Sequence, residues 1–544
     1  MIKIQDNLKI YYPLNLVPRK QQIDGFNFVK ESINQANKYI LLNMPTGSGK
    51  SYFTIMFINW YLNSINSKAK FDILTNSKIL QNQYINDYPF IKNFKGRSNY
   101  FCDPYDTDCS KGVEICKTAG PHCKNDCPYE KAKKDWLTSD IGLTNFHLFN
   151  TLAIHVEPIF NERHSNVLII DEAHDFESIF CDFISTSISA KSLKKYGFEL
   201  VEIEHYDEKL SRMKRIDQYI GFIENQFLKD IEDKINWLNN AKENTNKKIK
   251  LEYAKYLEHC NSQITKFKYL IQEYDKKPEN WILDVTKNKK DVMYSGIVLD
   301  AKPIWGNDYL KEKIFDKYDH VIFMSGSILD KKIFSFINGL DDDLSTYFET
   351  PSIFPLKNRP IYYIKLGKMT WKQKEESFKN QVIWIKKILK KYKDKKGIIH
   401  CGSYEFAIWL QEKLFDSRLI FHTPETREEA LQEHIKSELP SVIVSPSMMS
   451  GIDLKDELSR FQIIMKIPFP FLGSNKIKQR QKTKKEWYNF KTVVDFIQMS
   501  GRSVRSEDDW ADTFVLDGSF SDLLKYNSAL IPRWFSNAIK QLKI

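Results

Sequence analysis

The chain has 544 residues, of which 42% are hydrophobic and 28% charged, and its 81 basic against 70 acidic side chains give a formal charge of +11. That length exceeds one ordinary core and asks for three or four units. The balance excludes a disordered chain and a helical membrane protein, since no apolar run approaches the ~18–20 residues a spanning helix needs.

The opening residues, Met1-Ile2-Lys3-Ile4-Gln5-Asp6, carry no basic start, apolar stretch and cleavage site of a secretory signal, so a cytoplasmic protein is expected. The basic excess favours polyanionic partners without selecting one. Apolar, β-rich runs at 39–44, 71–74, 166–170, 321–324, 397–400, 442–444, 461–467 and 513–516 end in small or polar residues, with amphipathic stretches such as 384–392 between them. Buried runs alternating with helical patterns predict parallel β/α layers, whose functional loops lie at the carboxyl ends of the strands. Two stretches interrupt the pattern. The first, 97–140, holds crowded cysteines among Pro104, Gly112, Gly120, Pro121 and Pro128; the second, 177–285, is rich in Lys, Glu, Asn and aromatics and reads as helices. Proline density at 350–360 marks a linker.

After the run 39–44 comes Met44-Pro45-Thr46-Gly47-Ser48-Gly49-Lys50-Ser51, followed by an amphipathic stretch. Glycines let successive N–H groups and a helix N-terminus face phosphate oxygens, Lys50 would sit on the β and γ phosphates, and the Ser51 hydroxyl would ligate Mg²⁺. Met44 stands where the usual pattern has its first glycine, and in isolation the segment could be a flexible turn. The run 166–170 delivers Asp171-Glu172-Ala173-His174. Asp171 suits a Mg²⁺ ligand and Glu172 an acceptor for the proton of attacking water, and two adjacent carboxylates are costly to bury without a cation.

Five cysteines, 102, 109, 116, 123 and 127, crowd within the first interruption, while Cys181, Cys260 and Cys401 stand alone and read as packing residues. In a reducing compartment such crowding points to metal before disulfide, and four thiolates serve an iron–sulfur cluster and structural zinc alike. The spacing of seven between 102, 109, 116 and 123 is not a heptad, because Gly and Pro forbid one continuous helix. Towards the end, Gln498-Met499-Ser500-Gly501-Arg502-Ser503-Val504-Arg505 sets two arginines three apart on one helical face, with Gln498 a turn earlier, and so supplies positive charge for a γ phosphate from a second domain. Its bland alternative is a pair of surface salt bridges.

With these segments in order the chain resembles superfamily-two helicases, specifically the XPD/DinG branch. The resemblance is carried by Arg19-Lys20-Gln21-Gln22, the phosphate loop, Ile73-Leu74-Thr75-Asn76-Ser77, Lys95-Gly96-Arg97-Ser98-Asn99-Tyr100-Phe101-Cys102, Cys127-Pro128-Tyr129, Leu143-Thr144-Asn145-Phe146-His147, the acidic box, Met324-Ser325-Gly326-Ser327, Ser450-Gly451-Ile452-Asp453-Leu454, Pro468-Phe469-Pro470 and 498–505. It implies an α/β fold of two RecA-like parallel-sheet domains. Motor domain 1 would comprise 1–96, 141–176 and 286–350, interrupted by an iron–sulfur domain at 97–140 and a helical Arch-like insertion at 177–285; motor domain 2 would be 351–544.

The resemblance further implies ATP-driven 5′ to 3′ translocation on single-stranded DNA with duplex unwinding. Lys50, Asp171, Glu172, Gln498, Arg502 and Arg505 would be catalytic. Arg19, Gln22, Thr46, Gly47, Ser48, Gly49, Lys50, Ser51, Gly451 and Asp453 would bind or sense ATP, and Ser51 and Asp171 would hold Mg²⁺. Thr75 and Asn76 would touch the tracking strand. A 4Fe-4S cluster would sit on Cys102, Cys116, Cys123 and Cys127, with Cys109 the alternative to Cys116. Expected partners are single-stranded and forked DNA and replication or repair proteins, around a monomer with no membrane contact. With fewer than fifty residues before the phosphate loop, no exonuclease-like domain is expected there, and the short length would suit a phage-encoded member. Two rivals remain at this point: a translocase that remodels nucleic acid without processive unwinding, and a non-enzymatic binding module with a zinc ribbon.

Overall fold

The structure, a computed structural model, describes residues 17–119, 126–189, 212–243, 247–287, 297–446, 454, 456–504 and 506–542. Seven strands form the first sheet: β1 (Tyr39–Asn43), β2 (Phe71–Thr75), β3 (Lys92–Asn93), β4 (Ile141–Asn145), β5 (Val167–Asp171), β6 (His320–Ser325) and β7 (Ser345–Glu349). Their order is β7-β1-β6-β5-β2-β4-β3, and every pairing is parallel. The central strands β1, β2 and β5 are buried along their whole length, as near-continuous apolar runs require once helices cover both faces. Helix α1 (Lys20–Asn34) and helix α2 (Lys50–Ser64) cover one face. Register matters more than size here. Asn43 stands opposite Ser325 and Met324 opposite Asp171, so the ends of β1, β6 and β5 open side by side at one edge.

The cysteine segment is a two-stranded ribbon (Phe101–Cys102 and Thr107–Asp108) followed by helix α3 (Cys109–Ala119). A Cβ on Gly112 would lie 2.7 Å from the Cys102 Sγ, so only glycine lets α3 close over that thiol. After β5 the chain enters helix α4 (Phe176–Ile184), then helices Arg212–Phe222 and Leu228–Glu243, then the 30-residue α5 (Lys247–Lys276), which packs along α3. The stretch expected to be helical also carries strands: Thr186–Ser189 and Trp281–Lys287 flank Ile297–Pro303 in an antiparallel sheet. The strand at Trp281–Lys287 starts immediately behind the α5 pattern and was masked by it.

The second sheet contains β8 (Ile361–Tyr363), β9 (Gly397–His400), β10 (Leu419–Phe421), β11 (Val442–Ser445), β12 (Phe461–Ile464), β13 (Asp512–Val515) and β14 (Ile539–Gln541), ordered β10-β11-β9-β12-β13-β8-β14, again all parallel. Helices α6 (Asn475–Thr483) and α7 (Lys485–Ser500) lie on the face turned to the first lobe, where Ile464, Val494 and Ile497 share one core with Ile304, Trp305, Leu329 and Ile333. No helix among the described residues is long and apolar enough to cross a membrane.

Candidate active site

The phosphate loop leaves β1 and turns on Gly47 and Gly49, both at positive φ (81° and 77°), a conformation glycine adopts without a Cβ penalty. Gly49 caps α2, which aims that helix's free N–H groups into the cleft. Gln22 is buried and donates from Nε2 to the Gly49 carbonyl at 3.0 Å; Arg19 Nη1 donates to the Gly47 carbonyl at 2.7 Å. The Arg19 N–H in turn donates to Gln22 Oε1 at 2.8 Å, so α1 grips the loop by two side chains that hold each other.

Across the loop, Lys50 Nζ donates to Glu172 Oε1 at 2.9 Å and stands 3.9 Å from Asp171 Oδ1. Burial pushes the Asp171 carboxyl up, with Lys50 opposing. Burial pushes Glu172 up as well, but Lys50, His174 and Arg502 outweigh it and hold that carboxylate low. Tyr84 donates its hydroxyl to Asp171 Oδ2 at 3.3 Å, a contact nothing in the sequence announced.

From Glu172 a chain of polar contacts runs into the second lobe. His174 Nδ1 is 3.4 Å from Glu172 Oε2 and 2.8 Å from Ser325 Oγ, Ser325 Oγ is 3.4 Å from Ser327 Oγ, and Gln498 Nε2 of α7 donates to Ser327 Oγ at 2.8 Å. Helix α7 stops at Ser500, capped by Gly501, whose N–H bonds the Ile497 carbonyl. The expectation of two arginines on one helical face is therefore corrected: the helix ends at Ser500, and Arg502 lies in the loop two residues beyond it. From there Arg502 is near enough to stabilise the charged Glu172 and to depress His400 at the end of β9. Arg505, Gly451 and Asp453 lie outside the described residues.

Thr46 and Ser48 sit on the loop, Ser48 buried with its hydroxyl unpartnered, and Ser51 lies in the first turn of α2. Thr75 is fully buried with its hydroxyl on the Ser77 carbonyl, and Asn76 donates to Asp175 Oδ2 at 3.2 Å.

Residues 385–538 match the family model for a helicase C-terminal domain, and residues 15–200 match that for the res subunit of type III restriction enzymes. Over 97% of this chain and 100% of its own, a solved XPD helicase superposes with a TM-score of 0.61 at 15% identity. The chain carries a helicase C-terminal domain and has the fold of the XPD helicases. Xpd4 of S. tokodaii gives a TM-score of 0.57 over 96% of this helicase and 100% of that chain, also at 15% identity. Among relatives, the ATP-dependent DNA helicase YoaA of Escherichia coli is 25% identical over 235 residues, 32% of this chain but only 36% of YoaA. The probable ATP-dependent helicase MJ0942 of Methanocaldococcus jannaschii is 22% identical over 484 residues, 74% of this helicase and 71% of that protein.

In the cysteine segment, Cys102 and Cys109 are buried and Cys116 and Cys127 half-buried. Burial raises the Cys102 and Cys109 thiols, and both are raised further by neighbouring thiols: Cys116 and Cys127 act on Cys102, while Cys127 and Cys102 act on Cys109. Cys102 thus has three thiols within electrostatic reach, although among the described residues no three ligand groups stand at metal-holding distance. Cys123 lies outside the described residues. Cys181, Cys260 and Cys401 are buried.

Proposed function

We propose that this helicase hydrolyses ATP between its lobes and uses the closure to move 5′ to 3′ along single-stranded DNA, parting duplex ahead of it. The observation that carries the reading is the continuous path from Lys50 through Glu172, His174, Ser325 and Ser327 to Gln498, with Arg502 close enough to Glu172 to hold its charge. Lys50 would leave its two carboxylates for the β and γ phosphates, freeing Glu172 to orient and deprotonate water. Ser51 and Asp171 would hold Mg²⁺, which when bound neutralises phosphate charge. Arg502 would add its charge at the γ phosphate from the second lobe, tying hydrolysis to closure. Arg505, Gly451 and Asp453 are proposed for the same face from their motifs alone. His174 and Gln498 would pass the state of Glu172 to α7.

Single-stranded and forked DNA fits the basic excess, and one relative, YoaA, is named a DNA helicase. Backbone contacts would dominate, so affinity should fall steeply with salt. We further propose a four-thiolate metal centre, an iron–sulfur cluster by resemblance, with Cys102 and Cys127 among its ligands. The donor set fits, and the mutual approach of Cys109, Cys102 and Cys127 makes Cys109 a ligand candidate alongside Cys116 and Cys123. Iron and zinc content per chain in the separate Cys109→Ser, Cys116→Ser and Cys123→Ser proteins tests the assignment: two of the three should lose metal and the dispensable thiol should not. Retention of full metal in all three would remove the centre.

The decisive functional test is strand displacement on 5′-tailed against 3′-tailed duplexes, with Lys50→Ala as control. Activity on the 5′ tail alone is expected. Equal or 3′-only unwinding would overturn the direction, and protein displacement without unwinding would leave a remodelling translocase.

A further inference from the structure

The linker between the lobes carries Phe354 among prolines, in a sequence context that suggests nothing beyond a turn. In the fold it is buried at 6% exposure, and its ring edge lies against Gly47 so closely that a Cβ on Gly47 would overlap it. The ring also packs with Val504 and Ala511, two and nine residues beyond Arg502 in the second lobe. The ring is held from behind: its own carbonyl accepts from Arg359 Nε at 3.1 Å, and Arg359 Nη1 donates to the Trp534 carbonyl at 2.9 Å. Gly47 is gripped at the same time through its carbonyl by Arg19, whose guanidinium stands 3.8 Å from Glu507 in the loop between Val504 and Ala511. The turn of the phosphate loop and the loop after Arg502 thus touch the same aromatic ring.

From this arrangement, and resting on the nucleotide reading above, we infer that Phe354 is a positioning residue that couples the conformation of the phosphate loop at Gly47 to the approach of Arg502. A shift of either wall changes the contacts of the ring. A phosphate drawn onto the loop rearranges the turn at Gly47, and closure carries Val504 and Ala511 with Arg502. One rigid apolar plate between two moving walls transmits displacement where a flexible side chain would absorb it. A phenyl ring offers no donor to a phosphate oxygen, so its effect falls on the step that needs closure rather than on nucleotide capture.

The test uses the full chain, Mg-ADP, Mg-ATP and an oligo-dT strand. Wild-type protein should melt higher in Mg-ADP; no rise would overturn the nucleotide reading and this role with it. Phe354→Leu should keep the ATP KM within about twofold and lose roughly ten- to a hundredfold of the oligo-dT-stimulated kcat, the size of loss that misplacing a catalytic group brings. Because Phe354→Leu could act through packing alone, 3-fluorophenylalanine placed site-specifically at 354 supplies a second readout. Its single ¹⁹F resonance should shift on Mg-ADP and again on oligo-dT. A wild-type rise in melting temperature combined with an unmoved ¹⁹F resonance, or with a Leu variant altered only in melting temperature, overturns the coupling role and leaves nucleotide binding standing. A raised KM with unchanged kcat overturns it too, by making Phe354 a nucleotide contact.

Discussion

Lys50 is the cation on which two buried carboxylates depend. With Glu172 at 2.9 Å and Asp171 at 3.9 Å, its removal leaves like charges facing each other in a site of low exposure. Taking one partner from a buried ion pair costs about 3–5 kcal/mol, so Lys50→Ala should lower stability by an amount near that range while abolishing hydrolysis. Denaturant unfolding checks the first part and phosphate release the second. Glu172→Gln should separate the two: it keeps a partner for Lys50, leaves stability within about 1 kcal/mol and still stops turnover. The residues of this site were legible because each motif is local, a glycine turn or a pair of carboxylates at a strand end. Tyr84, Phe354 and the stopping point of α7 were not. The first two make their contacts only after chain segments 87 and more than 300 residues apart have met, and the third falls inside a stretch whose helical pattern runs on past Ser500.

At the scale of the element, the parallel strands were legible for a physical reason. Strands buried on both faces must be nearly continuous in apolar residues, and 39–44, 166–170 and 321–324 are. The edge strands β3, β10 and β14 were not, being two or three residues long and only partly buried, so they carry neither run nor alternation. The helix Phe146–His155 illustrates a cost hidden inside a well-formed element. His155 packs on Phe183 and Tyr269, and its Nε2 is buried without a partner. Burial, helped by Lys266, lowers its pKa from 6.5 to about 4. The folded state therefore binds fewer protons than the unfolded chain between those values. The contribution of this site is intact above pH 6.5 and is lost as the pH falls towards 4. His155→Phe should flatten the acid limb of the melting-temperature profile over that window and leave the neutral value unchanged or higher. An acid limb identical to wild type would show that the histidine is solvated.

Across the whole molecule, the lobes share an apolar core and several polar contacts, of which two lie at opposite ends of α7. One is the Gln498–Ser327 hydrogen bond at the cleft. The other is a buried ion pair: Arg480 of α6 donates to both oxygens of Glu177 on α4, at 3.2 and 2.5 Å, and to the Ile304 carbonyl at 2.6 Å, while lying over Trp305 and Trp487. Glu177 also accepts from the Gly306 N–H at 2.9 Å, so none of its capacity is idle. Arg480→Ala should cost about 3–5 kcal/mol by stranding Glu177, and the double change Glu177→Leu with Arg480→Met should recover most of it. A double-mutant cycle of unfolding energies measures the coupling, and additive losses would show that the pair does not act as a unit.

That clamp sits against Trp487 at the start of α7, whereas Gln498 is eleven residues further on, about 16 Å along the helix axis at ~1.5 Å per residue. One end is pinned by the ion pair, and the other carries a hydrogen bond of 2.8 Å beside the apolar packing of Val494 and Ile497. The geometry is that of tongs: a turn of about 10° at the pin carries the free end some ~3 Å, enough to part Gln498 from Ser327 while the pin stays whole. Each cycle can then be small, repeatable and cheap in broken contacts, and the stroke grows with distance from the pin.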